Sequence, residues 1–283
     1  MTGARVVETA RGPIEVAVLG KGPAVLIAHG MPGSWQQAVA IGRDLEAERT
    51  VVLVTRPGYG GTPLRSGRTA AEQADLYAAL LDALGLDAAT AVGISGGGPS
   101  ALAIAQRHPH RTSGLVLLCA LAAHLMHVPT YAKVGARLPA FVWGAFAARE
   151  RRTQRRTLDD PAAFEARLRA DLTPDELARF EREPALRDDY AAYLRSQCTG
   201  PSWARGFRND VRAIISSGCA PTDAITAPTL VVHGDADTVV PIVSAEHHAS
   251  AIRGARLHVL PGGTHGFPLL DRAVTVDLLR SVP

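Results

Sequence analysis

Six short, continuous apolar runs constrain this chain more than any other feature. They are Ala24–Ala28 (AVLIA), Val51–Val54 (VVLV), Thr90–Ile94 (TAVGI), Leu115–Leu118 (LVLL), Thr229–Val232 (TLVV) and Leu257–Leu260 (LHVL). Each is short for a helix and lacks the polar alternation of a half-exposed strand, so each predicts a strand buried on both faces of a parallel sheet. Helical stretches separate several of them: Ala70–Leu84 closed by Gly85, Pro99–Arg107, Ile242–Ile252 and Leu269–Leu279. That alternation predicts βαβ crossovers and a three-layer α/β domain. Ahead of them, Arg5–Thr9 and Ile14–Leu19 around Gly12-Pro13 predict a β-hairpin, which brings the sheet to eight mostly parallel strands.

One segment interrupts this order. Between His124 and Gly218 no buried strand is evident, and the signals are helical. Thr173-Pro174-Asp175-Glu176 is a capping box with proline at the first helical position, and Pro161, Pro184 and Pro201 also suit helix starts. The economical division is a core of residues 1–120 and 219–283 carrying a helical insertion, residues 121–218, between strands 6 and 7.

Composition narrows the function classes. The 283 residues carry 30 Lys+Arg against 27 Asp+Glu, a net charge of +3. Residues 121–206 hold 14 basic and 11 acidic side chains, so the whole excess lies in the insertion, largely in Arg149–Arg156 (RERRTQRR). That run has no interleaved aromatics and belongs to no nucleic-acid module, so nucleic acid is not an expected partner. It reads as a solvated helix face, or as a bias of the site's entrance toward anions. Three cysteines, Cys119, Cys198 and Cys219, are odd in number and lack CxxC spacing, which disfavours a disulfide framework or a zinc knuckle. The N-terminus shows no secretory h-region, and the longest apolar run, Gly114–Ala123, is about half a bilayer span. A cytoplasmic protein with no membrane span is expected.

The chemistry centres on Gly93-Ile94-Ser95-Gly96-Gly97, a G-x-S-x-G between a predicted strand and a predicted helix. A nucleophile on such a turn occupies strained backbone and tolerates only small neighbours two positions away on either side. A serine hydroxyl also needs a base and an orienting carboxylate, in the chain order Ser, Asp or Glu, His. Both follow strand ends, where α/β sheets gather their functional groups. His233-Gly234-Asp235-Ala236-Asp237 comes after TLVV, and Gly263-Thr264-His265 after LHVL. Asp235 and Asp237 are both candidates on these grounds. An oxyanion hole takes one N–H from the residue after the nucleophile and one from an early strand-end loop. In His29-Gly30-Met31-Pro32-Gly33 that selects the amides of Gly96 and Met31, since Pro32 has no N–H, although Pro32-Gly33 equally suits an ordinary β-turn.

Taken together, HGMPGS, RPGYGGT (Arg56–Thr62), GISGGG, HGDADTVVP and GGTH make the chain resemble the cap-bearing serine enzymes of the α/β-hydrolase fold. The resemblance spans essentially the whole chain, and the insertion falls where that family places its cap. It implies a triad of Ser95, Asp237 and His265, because the family's acid stands three residues after the loop glycine. It assigns His29 to supporting the oxyanion loop, gives RPGYGGT no chemistry, and requires no metal and no cofactor. A serine nucleophile disfavours haloalkane dehalogenases and epoxide hydrolases, which use aspartate. HGMPG lacks the HGGG of hormone-sensitive-lipase relatives, and Met31 departs from the HGGPG of proline iminopeptidases.

The expected function is hydrolysis of a carboxylic ester or lactone of a small to medium apolar substrate. Cleavage of a carbon–carbon bond in a diketone-like substrate, a proline-iminopeptidase-like activity and a small-molecule receptor with a vestigial triad are the alternatives. Met126, Tyr131, Phe141, Trp143, Phe146 and Phe267 are candidate pocket residues, though the first five equally suit sealing the insertion onto the core. The histidines at 124, 127, 247 and 248 read as helix-surface residues rather than metal ligands. Asp210 fits either a contact between insertion and core or a group behind the site, and Cys119 a buried free thiol.

Overall fold

The computed structural model describes residues 3–127, 130–197, 203–216 and 221–283, without the side chains of residues 131, 132, 140 and 141. Eight strands form one sheet: β1 (Arg5–Val7), β2 (Ile14–Leu19), β3 (Ala24–Ala28), β4 (Thr50–Val54), β5 (Ala89–Ile94), β6 (Thr112–Leu118), β7 (Thr229–Gly234) and β8 (Arg256–Leu260). Their order is β1-β2-β4-β3-β5-β6-β7-β8. The β1–β2 and β2–β4 pairs are antiparallel, and every later pair is parallel. The six apolar runs and the hairpin therefore land on strands.

Burial explains why unalternated runs pair here. β3 is buried along its whole length, as are β5 and β7, so both faces of the pleat need apolar side chains. One cluster of buried residues includes Leu26, Val52, Ala91 and Leu115, and another includes Ile27, Leu53, Val92 and Val116. Alternate residues of the same strands thus feed opposite layers. β8 departs from the expectation of burial. It is the edge strand, and Leu257 and Val259 are each 39% exposed.

Core helices are α1 (Val39–Leu45), α2 (Ala70–Leu84) and α3 (Gly98–Arg107). Between β6 and β7 the described residues form six more: α4 (Thr130–Arg137), α5 (Ala140–Asp159), α6 (Pro161–Asp171), α7 (Pro174–Arg182), α8 (Pro184–Gln197) and α9 (Trp203–Ser216). The chain closes with α10 (Val243–Ala251), α11 (Phe267–Leu270) and α12 (Arg272–Arg280). Pro161 and Pro184 open helices as expected, while Pro201 lies outside the described residues. The capping box forms at α7: Thr173 Oγ1 accepts from Glu176 N, and a Glu176 carboxylate oxygen accepts from Thr173 N at 2.8 Å. No described helix is long and apolar enough to cross a membrane.

The insertion has its own apolar cluster, Phe164, Leu168, Phe180, Leu186, Tyr190 and Leu194, which reaches Ala40, Leu269 and Leu270 of the core. Three polar ties reinforce that contact. Arg56 of the core pairs with Asp210 of α9, Arg179 of α7 with Asp271, and Arg272 with Asp189 of α8.

Candidate active site

Ser95 sits at the end of β5 with φ of 49°, left-handed backbone that a side chain adopts only under constraint. Its flanking glycines explain how the turn closes. A Cβ on Gly93 would lie 2.7 Å from the Gly98 Cα, and one on Gly97 would lie 2.3 Å from the Ala28 carbonyl oxygen. The tight turn leads directly into α3, whose N-terminal dipole favours negative charge nearby.

Ser95 Oγ donates to His265 Nε2 at 3.0 Å, and His265 Nδ1 donates to Asp237 Oδ2 at 2.7 Å. Asp237 Oδ1 in turn accepts from the Val239 and Val240 amides at 2.8 and 2.9 Å, which fixes the carboxylate plane. Burial pushes the Asp237 carboxyl up, but the His265 contact and the two amides outweigh it and hold the pKa below the usual range. For His265, burial disfavours the imidazolium, yet the neighbouring Cys119 sulfur and the Asp237 carboxylate prevail and raise the pKa. Asp235 stands apart, exposed, accepting from the Gly262 amide at 2.6 Å. The two aspartates open in the sequence are thus separated: Asp237 meets His265, and Asp235 braces the turn before it.

The loop after β3 is held by two buried side chains. Gln37 Oε1 accepts from the Gly30 amide at 2.9 Å, and its Nε2 donates to the Pro32 carbonyl at 2.6 Å, so the amide group brackets Met31. His29 Nε2 accepts from the Arg56 amide at 2.9 Å, which places its proton on Nδ1, directed at the Gly30 carbonyl at 2.7 Å. Burial, then the Arg56 charge, keep the His29 pKa well below its ordinary value, so the ring is neutral. Met31 and Gly96 are adjacent: a Cβ on Gly96 would lie 2.7 Å from Met31 Cβ and 3.3 Å from Met31 N. Among the described residues the Met31 amide has no hydrogen-bond acceptor.

Behind this loop, Arg56 is 3% exposed and pairs with Asp210, while its Nη1 also donates to the Gly96 carbonyl at 2.9 Å. Tyr59 donates its hydroxyl to Asp210 Oδ2 at 2.6 Å. The RPGYGGT segment, to which the sequence assigned no chemistry, thus joins the Ser95 turn to α9. Burial drives the Asp210 carboxyl above its ordinary value despite the opposing pull of Arg56 and Tyr59.

Cys119, just past the end of β6, also has left-handed backbone, φ 40°, and is fully buried. Its thiol donates to the His265 carbonyl at 3.8 Å, and ligand-type atoms of Cys119, Asp237 and His265 all lie within 4.8 Å of one another. This is the one group of metal-ligand type found among the described residues, and its imidazole and carboxylate are already engaged with each other. The structure also brings His124 against His247, with ring centroids 4.5 Å apart.

A cavity of about 530 Å³ opens at Ser95 and His265. Its core side includes Met31, Ile41, Ile94 and Leu269, and its insertion side includes Arg167, Asp171, Tyr190 and Tyr193. The aromatic pocket expected from the sequence is a correction. Met126, Trp143, Phe146 and Phe267 do not line this cavity. Trp143 meets Phe207 and packs with Trp203 and Tyr59, sealing α5 and α9 to the core, while Phe146 lies against Trp143 and Trp203 and stays 40% exposed. Phe267 is fully buried in the core cluster that holds Ile27, Val92 and Val116. The side chains of Tyr131 and Phe141 lie outside the described residues. Residues 149–156 do not line the cavity either; its basic residue is Arg167.

Comparison with known proteins agrees with this architecture. Residues 23–271 match the family model described as alpha/beta hydrolase fold. An alpha/beta hydrolase fold protein from Nakamurella multipartita superposes with a TM-score of 0.75 and 34% identity, covering 97% of this chain and 98% of that one. An uncharacterized hydrolase, YcgS, of Bacillus subtilis is 26% identical over 90% of this chain and 88% of its own length. A 2-hydroxymuconate semialdehyde hydrolase of Pseudomonas sp. is 28% identical over 85% of this chain and 79% of its own.

Proposed function

The chain belongs to the alpha/beta hydrolase fold family, and we propose that it is a serine hydrolase that cleaves carboxylic esters or lactones through an acyl-enzyme. The observation that carries this reading is the unbroken chain from Ser95 through His265 to Asp237, at 3.0 and 2.7 Å. Ser95 attacks the acyl carbonyl as His265 Nε2 takes its proton, and His265 returns that proton to the leaving oxygen. Asp237 fixes the imidazole tautomer and stabilises the imidazolium. The Met31 and Gly96 amides receive the negative oxygen of the tetrahedral intermediate. Water activated by the same His265 then releases the acid and restores Ser95. Helices α4–α9 act as the cap, with α6 and α8 supplying one wall of the cavity.

A fluorophosphonate probe tests this directly. Wild-type protein is expected to label at Ser95, and Ser95→Ala is expected not to; equal labelling of the two overturns the nucleophile assignment and favours a receptor with an idle triad. Carbon–carbon hydrolysis is the second reading, favoured by similarity to the 2-hydroxymuconate semialdehyde hydrolase. The same triad without turnover of any aryl ester, but with turnover of a dienol-ketone acid, would select it.

A further inference from the structure

The cavity at Ser95 is asymmetric. Its core side carries Ile41, Ile94, Pro268 and Leu269, whereas its insertion side carries a charged and hydroxylated cluster from α6 and α8. In that cluster Asp171 Oδ2 accepts from Arg167 Nε, one helical turn away, and from the Tyr190 hydroxyl at 3.2 Å. Both contacts converge on one oxygen, so the carboxylate serves to orient the guanidinium and its own charge is answered. Among the described residues, the Arg167 Nη1 and Nη2 atoms have no hydrogen-bond partner, and Arg167 is the cavity's sole Lys or Arg. A guanidinium held through Nε presents its other edge as a flat pair of donors, the geometry that matches a carboxylate in bidentate fashion. Its side chain is 48% exposed, so the fork is reachable.

We infer that the cavity selects a bifunctional substrate, an ester whose acyl chain ends in a carboxylate, with Arg167 binding that carboxylate while Ser95 meets the ester carbonyl. The inference rests on the hydrolase reading above and adds the class of substrate. One fork with no second Lys or Arg among the described lining residues suits a monoanion such as a carboxylate better than a phosphate dianion. The methylene chain between the two groups lies along Ile41, Ile94 and Leu269. Hydrolysis consumes one water and yields a dicarboxylate and an alcohol. Arg167 is a specificity-determining residue here, remote from the bonds that change.

A matched pair of probes tests this: mono-p-nitrophenyl adipate, with a terminal carboxylate, and p-nitrophenyl hexanoate, of the same chain length and neutral. Arg167→Gln is expected to lower kcat/KM for the adipate by about ten-fold or more, the scale of one lost hydrogen bond to a charged group. The loss should appear in KM, because the remote carboxylate is held equally in the ground and transition states, and the hexanoate should change less than about two-fold, because it has no carboxylate to meet the guanidinium. Raising the salt to about 1 M, where the screening length is ~3 Å, should shrink the wild-type preference for the adipate in the same direction. A parallel fall for both esters, or an unchanged ratio between them, overturns the carboxylate assignment and leaves the hydrolase reading standing. Failure of wild-type protein to turn over either ester overturns the ester-hydrolase reading itself, and this inference with it.

Discussion

Removing the Asp210 side chain tests the junction between the Ser95 turn and the insertion. In the folded protein Asp210 accepts both terminal nitrogens of Arg56 and the Tyr59 hydroxyl, and each of these residues is buried. Asp210→Ala leaves the guanidinium with the Gly96 carbonyl as its remaining hydrogen-bond acceptor, since Arg56 Nε is itself unpartnered among the described residues. Breaking a buried pair in this way costs about 3–5 kcal/mol, because the abandoned charge stays desolvated. At roughly 2–4 °C per kcal/mol for a domain of comparable size, the melting temperature should fall by about 6–20 °C. Differential scanning calorimetry or urea unfolding reads this directly. The companion variant, Arg56→Met with Asp210→Leu, removes both charges together and should recover most of the loss. Because Arg56 also holds the Gly96 carbonyl, Asp210→Ala should lower kcat as well. A loss below about 1 kcal/mol, or a double variant as unstable as the single one, refutes the picture of a desolvated pair bridging core and insertion.

Other outcomes follow from the site. Asp237→Asn should cut turnover by about 10⁴-fold, the scale set by losing the correct imidazole tautomer, while Asp235→Asn should leave turnover near wild type; steady-state kinetics on one ester separates them. Because His265 must be neutral to accept the Ser95 proton and its pKa is raised, the rising limb of kcat/KM against pH should lie above pH 6.5. Gln37→Leu strips partners from the Gly30 amide and the Pro32 carbonyl. It should lower kcat by about 10²-fold with a smaller change in KM, as loss of one oxyanion donor does.

What the sequence made visible, and what it hid, divides along the range of the interactions. The apolar runs marked β3–β8 within a few residues because burial on two faces writes itself into consecutive side chains. Ser95 and His265 stood out as candidates from strand ends and their order along the chain; the same signals left Asp235 and Asp237 both open, and only the family resemblance pointed to Asp237, the one that meets His265. Gln37 and Arg167 gave no such signal: one is a glutamine in a short turn, the other one arginine among many on an exposed helix face. Their importance comes from partners brought in by folding, the Gly30–Pro32 loop for Gln37 and the cavity wall for Arg167. The aromatic residues of α5 left two readings open, pocket or seal, for the same reason. Size and apolarity announce that Trp143 will be partly covered, but not by what; Trp203 and Phe207 lie far along the chain, and Phe146, beside Trp203, stays 40% exposed. Asp210 was left between two readings because its partner Arg56 sits 154 positions away.

Glu176 ties the insertion to the loop that carries His265. One of its carboxylate oxygens closes the N-terminus of α7, and the other accepts from the hydroxyl of Thr264, the residue before His265, at 2.7 Å. Arg179, on the same helix, grips Asp271 just past α11. Through Glu176, α7 bears on the residue beside His265, and through Arg179 it bears on the residue that precedes α12. The insertion is therefore mechanically continuous with the group formed by Ser95, His265 and Asp237, and a change that displaces α7 is transmitted to the position of that imidazole.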